Sequence, residues 1–398
     1  MKELFSLGKI YPSDFLKDGE EPTTEKVELK LIMDDDGLVR LEKTAPMNKM
    51  YGKYWYRSGI NSTMKEALKD VVDSILKIQL LKHDDIWLDI ACNDGTLLSY
   101  VPEKCLRIGI DPADDSYMKE SYKHGEIIQD FFSAKIFKDT YENRKASVVT
   151  SIAMFYDVPD PKQFIKDVYD ILEDDGLWVM QLSYTPLMIE QMAFDNICHE
   201  HIYYYNIKTL MKLFSTYFQI EDLDINNING GSIRLYLRKF NPNISSYNTV
   251  NSLRIKSLIH YELNNHYNKE EKWISWFEEI EALKEKTVSF IKQAKSEGKT
   301  IWAYGASTKG NTLLQYFGLD NTMIDGIADR NPDKHGLRTI GSNIKIYSEE
   351  VMRIAQPDYL LILPWHFIKE FTERESEYLR KGGKFIVPCP SFQIISNE

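Results

Sequence analysis

The stretch Leu88-Asp-Ile-Ala-Cys-Asn-Asp-Gly-Thr96 decides how this chain folds. Ile86–Ala91 is a short apolar run suited to a buried strand. It gives way to small and polar residues, and a helix is expected from Thr96 onward. Small residues let a backbone approach a ligand closely, and a helix N-terminus offers free N–H donors. The next apolar run, Leu106–Asp111, ends in an acid about 20 residues after Asp89, the position that accepts ribose hydroxyls in dinucleotide folds.

Outward from this loop the same alternation continues. Ile127–Asp130, Ser147–Ala153 and Leu177–Ser183 read as further strands, and Pro161–Glu173 reads as a helix with Phe164, Val168 and Ile171 inward. Before the loop, Leu68, Val71, Val72, Ile75 and Leu76 recur at helical spacing between Met64 and Leu81. After it, Ile220–Ile225 and Ile233–Phe240 suit an antiparallel hairpin. Residues 245 to 297 are polar and helical, with Trp273 and Trp276 on a packing stripe. A second block repeats the alternation with strands at Thr300–Tyr304, Met323–Ala328, Tyr359–Leu363 and Lys384–Pro388, and a helix from Gly310. Such alternation predicts parallel sheets covered on both faces. The fold class is α/β, and the expected domains are a small irregular N-terminal module (1–70), a first α/β domain (71–242), a helical connector (243–297) and a second α/β domain (298–398).

Bulk composition narrows the partners. At 398 residues the chain exceeds one comfortable core. The formal charge is −11, with no long basic run, which disfavours nucleic acid as the partner. Four scattered cysteines and no Cys-x-x-Cys pair argue against disulfides or thiolate zinc and fit a reducing cytoplasm. No signal-peptide pattern and no membrane-spanning apolar run is present, so a soluble cytoplasmic protein is expected.

The first loop is not G-x-G-x-x-G, so it poorly matches a pyrophosphate-binding fingerprint. S-adenosylmethionine has no phosphate to cradle and is the better fit. Asp89 and Asp94 suit its cationic methionine end, Ala91, Asn93 and Gly95 form the turn, Asp111 suits the ribose, and Asp130-Phe131 suits the adenine.

Two of eight histidines fall in Asp195-Asn-Ile-Cys-His-Glu-His-Ile-Tyr-Tyr-Tyr-Asn206, after the fifth strand of the first block. Ligands usually bind outside the carboxyl edge of such sheets. Three readings stand side by side: structural histidines capping a helix, a metal site completed by a carboxylate, and an acid/base site working near neutral pH. In the second block, Gly305-Ala-Ser-Thr-Lys-Gly-Asn-Thr312 lies between a strand and a helix, which is anion-binding geometry or simply a tight structural turn. It is neither a P-loop nor a good NAD fingerprint. Leu363-Pro-Trp-His-Phe367, at another strand end, either lines the same cleft or packs the core.

Taken together, several strings resemble the S-adenosylmethionine-dependent C-methyltransferases that act on nucleotide-linked deoxysugars. They are Tyr54-Trp-Tyr-Arg-Ser-Gly59 with Asn61, Leu88–Leu98, Ala153–Asp160, Phe194–Tyr205, Gly230–Arg234 and Ala303–Asn311. The resemblance implies a zinc-bearing N-terminal module, a central class I methyltransferase domain and a C-terminal Rossmann-like substrate domain. It implies removal of a proton beside a ketone, then methyl transfer to that carbon of a nucleoside-diphosphate keto-sugar. His201 is the expected base, and Glu200 orients it or binds the sugar. Tyr56 is the expected donor to the ketone, and Tyr204 is a second candidate. Substrate contacts are expected from Arg57, Ser58, Asn61, Tyr156, His199, Ser307, Lys309 and Asn311. One departure stands out: no cysteine precedes Cys92, so no zinc is expected. An O- or N-methyltransferase of a sugar and an NAD-dependent sugar-nucleotide enzyme are the alternatives. Oligomeric state is not legible.

Overall fold

The computed structural model describes residues 1–46, 50, 55, 57–114, 118–240 and 249–397. The loop that opened the sequence sits at the centre of a seven-stranded sheet. Its strands are β1 (Ile86–Ile90), β2 (Leu106–Ile110), β3 (Glu126–Ile128), β4 (Ala146–Ile152), β5 (Leu172–Ser183), β6 (Phe218–Asn226) and β7 (Ser232–Lys239). They run in the order β6-β7-β5-β4-β1-β2-β3. The first five are parallel, and β7 enters antiparallel between β5 and β6. All five residues of β1 are buried, as a strand covered on both faces requires. The sheet reverses direction of construction between β1 and β4, and the crevice at their carboxyl ends is where open α/β sheets bind ligands.

The C-terminal block forms a second sheet from β8 (Ile301–Tyr304), β9 (Gly326–Asp329), β10 (Ile346–Ser348), β11 (Tyr359–Ile362), β12 (Lys384–Val387) and β13 (Gln393–Ile395). Its order is β10-β9-β8-β11-β12-β13, parallel except for the last strand. Both α/β blocks expected from the alternation are therefore present.

Two expectations need correction. The N-terminal region is not irregular: Lys2–Ile10, Val27–Met33 and Val39–Leu41 form an antiparallel sheet whose fourth strand is Tyr203–Tyr204. Leu4, Phe5, Leu7, Ile10, Leu29 and Leu31 are buried against the long Glu270–Ser296 helix and the C-terminal block. Phe5 stacks on Phe277 with centroids 4.5 Å apart. At about 1.5–3 kcal/mol for each large apolar side chain, this burial stabilises the N-terminal region. Second, no regular helix follows Thr96. Leu98–Tyr100 makes only one 3-10 turn, because Pro102 biases Val101 to an extended conformation.

The Ser62–Ile78 helix begins where the apolar period predicts. Asn61 caps it by accepting from the Thr63 amide at 2.9 Å. The N-terminal region is also clipped to the C-terminal block: Phe15–Leu16 pairs with Arg338–Thr339.

Candidate functional site

A cavity of about 640 Å³ lies at the carboxyl edge of β1, β2 and β4, with the C-terminal block as its far wall. The cofactor loop forms one side. Ala91 and Asn93 adopt positive φ values of 58° and 52°, conformations that are costly for non-glycine residues. Hydrogen bonds hold them there. The Ala91 amide donates to the Ile110 carbonyl at 2.8 Å, and the Asn93 amide donates to the Asp111 carboxylate at 2.9 Å. The other Asp111 oxygen accepts from the Ala113 amide at 2.9 Å. Burial raises the Asp111 carboxyl, while these two amides pull it down. Asp89 is wholly buried and is pushed up to about 7, although it accepts from the Thr150 hydroxyl at 2.7 Å.

Asp89, Ala91, Asn93, Asp111 and Phe131 line the cavity as expected, joined by Cys92, Ile110, Pro112 and Phe132. Three expected residues do not. Asp94 accepts from the Gly59 amide at 2.7 Å and from the Thr96 hydroxyl at 2.6 Å, bracing the loop against Ser58–Ile60. Gly95 lies against Ser121, where an added Cβ would meet the backbone at 2.8 Å. Asp130 caps its own loop by accepting from the Phe131 amide at 2.7 Å.

Glu200, His201 and Tyr156 form the opposite side. The His201 ring lies 4.2 Å, centroid to centroid, from Tyr156. Burial, with the Lys309 charge adding to it, holds the His201 imidazole well below its ordinary value, while a backbone hydrogen bond to Asn196 works the other way. The ring is thus neutral at physiological pH, the form able to accept a proton. Burial pushes Glu200 up to about 7, and Lys309 pulls it back. Lys309 enters from the C-terminal block with Ser307, Thr308, Pro364, His366 and Phe367. Its ammonium donates to the Asn196 side chain at 2.5 Å. Ser307 caps the Thr308–Phe317 helix by accepting from the Gly310 amide at 2.9 Å.

The structure separates other sequence candidates from the cavity. His199 bonds through Nε2 to the Val27 carbonyl at 3.0 Å, tying the segment to the N-terminal sheet. Tyr204 is buried in that sheet against Trp273, 6.1 Å between ring centroids. Asn311 donates to the Ser13 hydroxyl at 3.3 Å and the Asp14 carbonyl at 3.2 Å. Asn61 is the helix cap already described. Arg57 pairs with Asp333 at 2.6 Å beside a smaller polar pocket, whereas Ser58 reaches the main cavity. Tyr56 lies outside the described residues. Among the described residues, no group of three or more His, Cys, Asp or Glu is arranged to hold a metal ion. His199 is turned to Val27, whereas Glu200 and His201 line the cavity.

Sequence reasoning missed Asp157, Asp160, Gln163, Asp167 and Asn229, all of which line the cavity. Asn229 alone carried a local signal. It sits at φ 54° in the Asn-rich turn before β7, a conformation asparagine tolerates. The four others occupy a loop and helix face whose orientation only the packed sheet fixes.

The cavity suits S-adenosylmethionine. Among the described residues, Asp89, Asp111, Asp157, Asp160, Asp167 and Glu200 line it against one lysine or arginine, Lys309, so it favours a cationic guest. Phe131, Phe132 and Pro112 give it apolar walls, and Asp111 lines it with them. The strand order, with its antiparallel β7, and this loop define a class I methyltransferase domain. Residues 60–217 match the family model described as methyltransferase domain, and residues 227–390 match that described as C-methyltransferase C-terminal domain. These two matches support a family of S-adenosylmethionine-dependent C-methyltransferases, to which the chain is similar over most of its length. It is 26% identical over 364 residues to the C-methyltransferase NovU of Streptomyces niveus, covering 91% of this chain and 86% of that protein. Among solved structures, an S-adenosylmethionine-dependent methyltransferase from Clostridium acetobutylicum is 13% identical, with a TM-score of 0.35, over 44% of this chain and 91% of the other. Magnesium protoporphyrin IX methyltransferase from Synechocystis, with bound S-adenosylmethionine, is 13% identical at a TM-score of 0.33, over 44% and 79%. No helix among the described residues is long and apolar enough to cross a membrane.

Proposed function

We propose that this protein methylates the carbon beside the carbonyl of a keto-sugar carried on a nucleoside diphosphate. The observation that carries the reading is one cavity in which a neutral, buried histidine and a carboxylate face the cofactor loop. C-methylation needs a base for a weakly acidic C–H, and His201 is in the required protonation state. The match to the C-methyltransferase C-terminal domain and the likeness to the C-methyltransferase NovU support carbon as the acceptor atom.

Bound in this cavity, S-adenosylmethionine supplies an electrophilic methyl group and leaves as its thioether. The rest falls to the chain's own residues. Asp111 holds hydroxyls, and Phe131 and Phe132 hold a flat base. Asp89 sits at the foot of the loop, where a cation beside it favours its ionised form. His201 takes the acceptor's proton. No hydrogen bond joins Glu200 to His201 among the described residues, so Glu200 serves the sugar hydroxyls or the local charge rather than orienting the base. Ser58, Tyr156 and Ser307 complete the acceptor's walls, and the C-terminal block excludes water from them.

Product NMR decides the reading. The protein is incubated with methyl-labelled cofactor and a panel of nucleotide-linked keto-sugars in deuterated buffer. A new C–CH3 signal, with exchange of the neighbouring C–H, is the expected result. A methyl on oxygen or nitrogen, with no exchange at carbon, refutes it.

A further inference from the structure

Among the described residues lining the main cavity Lys309 is the single lysine or arginine, and its position runs against local preference. It lies in the first turn of the Thr308–Phe317 helix, where the helix dipole is positive and a cation is disfavoured by about 0.3–1 kcal/mol. Nothing in the helix needs it there, since Ser307 already caps the end. The side chain instead crosses to the first α/β block and donates to Asn196 at 2.5 Å. Asn196 is buried, and its own side-chain amide donates to the Ala193 carbonyl at 3.1 Å, so this anchor is fixed. Asn196 lies in the same segment as His201, five positions before it, so the cation is anchored to the segment that supplies the base. The charge of Lys309 is felt at Glu200, His201, His366 and Asp195.

We propose, resting on the acceptor reading above, that Lys309 is a catalytic residue whose ammonium, with the positive end of its helix, stabilises the oxygen anion formed as His201 deprotonates the substrate. The bookkeeping is simple. The C–H bond breaks and its proton moves to the imidazole. The C–H electron pair becomes the second bond between the two carbons, and the carbonyl π pair moves onto oxygen. One full negative charge appears on that oxygen, in a cavity whose other ionisable groups are mainly carboxylates. A single fixed cation matches one such charge. A diphosphate carries more charge than this wall neutralises, so it belongs nearer the solvent-facing rim. Donors aimed at developing charge in a water-poor site typically contribute about 10²–10³ in rate.

The test separates proton removal from methyl transfer and from binding. Exchange of the substrate C–H with deuterated buffer is followed by NMR for the wild type, Lys309→Met and Lys309→Arg, on the nucleotide-linked keto-sugar that the wild type methylates. Affinity for S-adenosylmethionine is measured alongside by calorimetry as a check on folding. Exchange and kcat in Lys309→Met should fall at least about 100-fold. KM for the sugar nucleotide should stay within about threefold, and Lys309→Arg should recover part of the rate. Exchange within threefold of wild type, or a raised KM with unchanged kcat, overturns the assignment and makes Lys309 a phosphate or binding contact. If Lys309→Met also loses the cofactor, the residue is a structural tie and the proposal falls. A wild type that exchanges no keto-sugar refutes the acceptor reading, and this assignment with it.

Discussion

The two α/β blocks use the same joint in opposite ways. In each, the first residue after the leading strand adopts positive φ, Ala91 at 58° and Gly305 at 83°, and donates its amide to the end of the neighbouring strand at 2.8 Å. Each neighbour ends in an acid that accepts two loop amides. Asp111 takes those of Asn93 and Ala113, while Asp329 takes those of Ala306, at 2.6 Å, and Asn331, at 2.8 Å. There the likeness stops. Asp111 faces the cavity. Asp329 faces the buried ammonium of Lys334, 3.9 Å away, which also donates to the Ala306 carbonyl and lies over the Phe15 ring. The N-terminal region has plugged the second crevice. Yet the helix after the second loop still points its first turn into the shared cavity. One block contains the acidic cofactor site, and the other supplies its wall and its cation.

The largest effect expected from breaking this arrangement is at the base. His201→Asn should cut kcat by about 10²–10⁴, the usual worth of a general base, while S-adenosylmethionine affinity changes less than threefold. A fully active variant removes His201 from the mechanism.

Next comes the paired substitution of the two acids. Asp111→Asn should weaken the cofactor by about 10–100-fold, since a charged acceptor for hydroxyls is lost. Asp329→Asn should leave that affinity unchanged but destabilise the fold by about 2 kcal/mol or more, because buried Lys334 loses its counter-charge. Calorimetry and denaturant unfolding separate the two. Equal losses of cofactor affinity would erase the distinction between the blocks.

A smaller, graded effect follows from pH. Glu200 is raised to about 7 and is increasingly protonated below that value, whereas His201, depressed by burial, is already neutral. If ionised Glu200 is the working form, kcat/KM should fall about tenfold per unit below pH 7, and Glu200→Gln should flatten that limb. The stability sign is opposite. Carboxyls with raised values, here Asp89 and Glu200, stabilise the ligand-free fold most at low pH, and that contribution is lost as pH rises through about 7. Added cofactor should therefore raise Tm more at pH 8 than at pH 6.

Which of these residues could be read from sequence depends on where their partners lie. The cofactor loop was legible because strand, turn and acid are close in the chain and obey local rules. His201 and Glu200 were legible as a cluster, but not their division from His199, which faces Val27 across 172 positions. Tyr204 and Asn311 were misjudged for the same reason, since their surroundings come from the N-terminal sheet. That sheet was missed outright. Lys2–Ile10 pairs with Val27–Met33, but the sheet is completed by a two-residue strand near position 203 and packs on a helix beyond 270. Periodicity sees a half-buried strand only when the chain beside it alternates cleanly, and Lys2–Ile10 is interrupted by irregular register.

The smallest expected effect concerns how the blocks are held together. Arg57 reaches across to Asp333 at 2.6 Å, and Thr63 donates to Glu370 at 3.1 Å, both joining the first block's edge to the second. The Arg57–Asp333 pair is partly exposed, 28% and 44% by side chain, so solvent screens it to about 0–1 kcal/mol. On the other side of the cavity, the buried tie of Trp365 to Asp195 at 3.2 Å and the part-buried one of Lys309 to Asn196 are screened less. Asp333→Ala should therefore leave Tm within about 2–4 °C of wild type and kcat nearly unchanged. Its signature should instead be salt: the wild type should lose stability relative to Asp333→Ala as ionic strength rises, until the two converge. A large loss of kcat in Asp333→Ala would mean that this exposed pair, rather than the buried contacts, sets the width of the cleft.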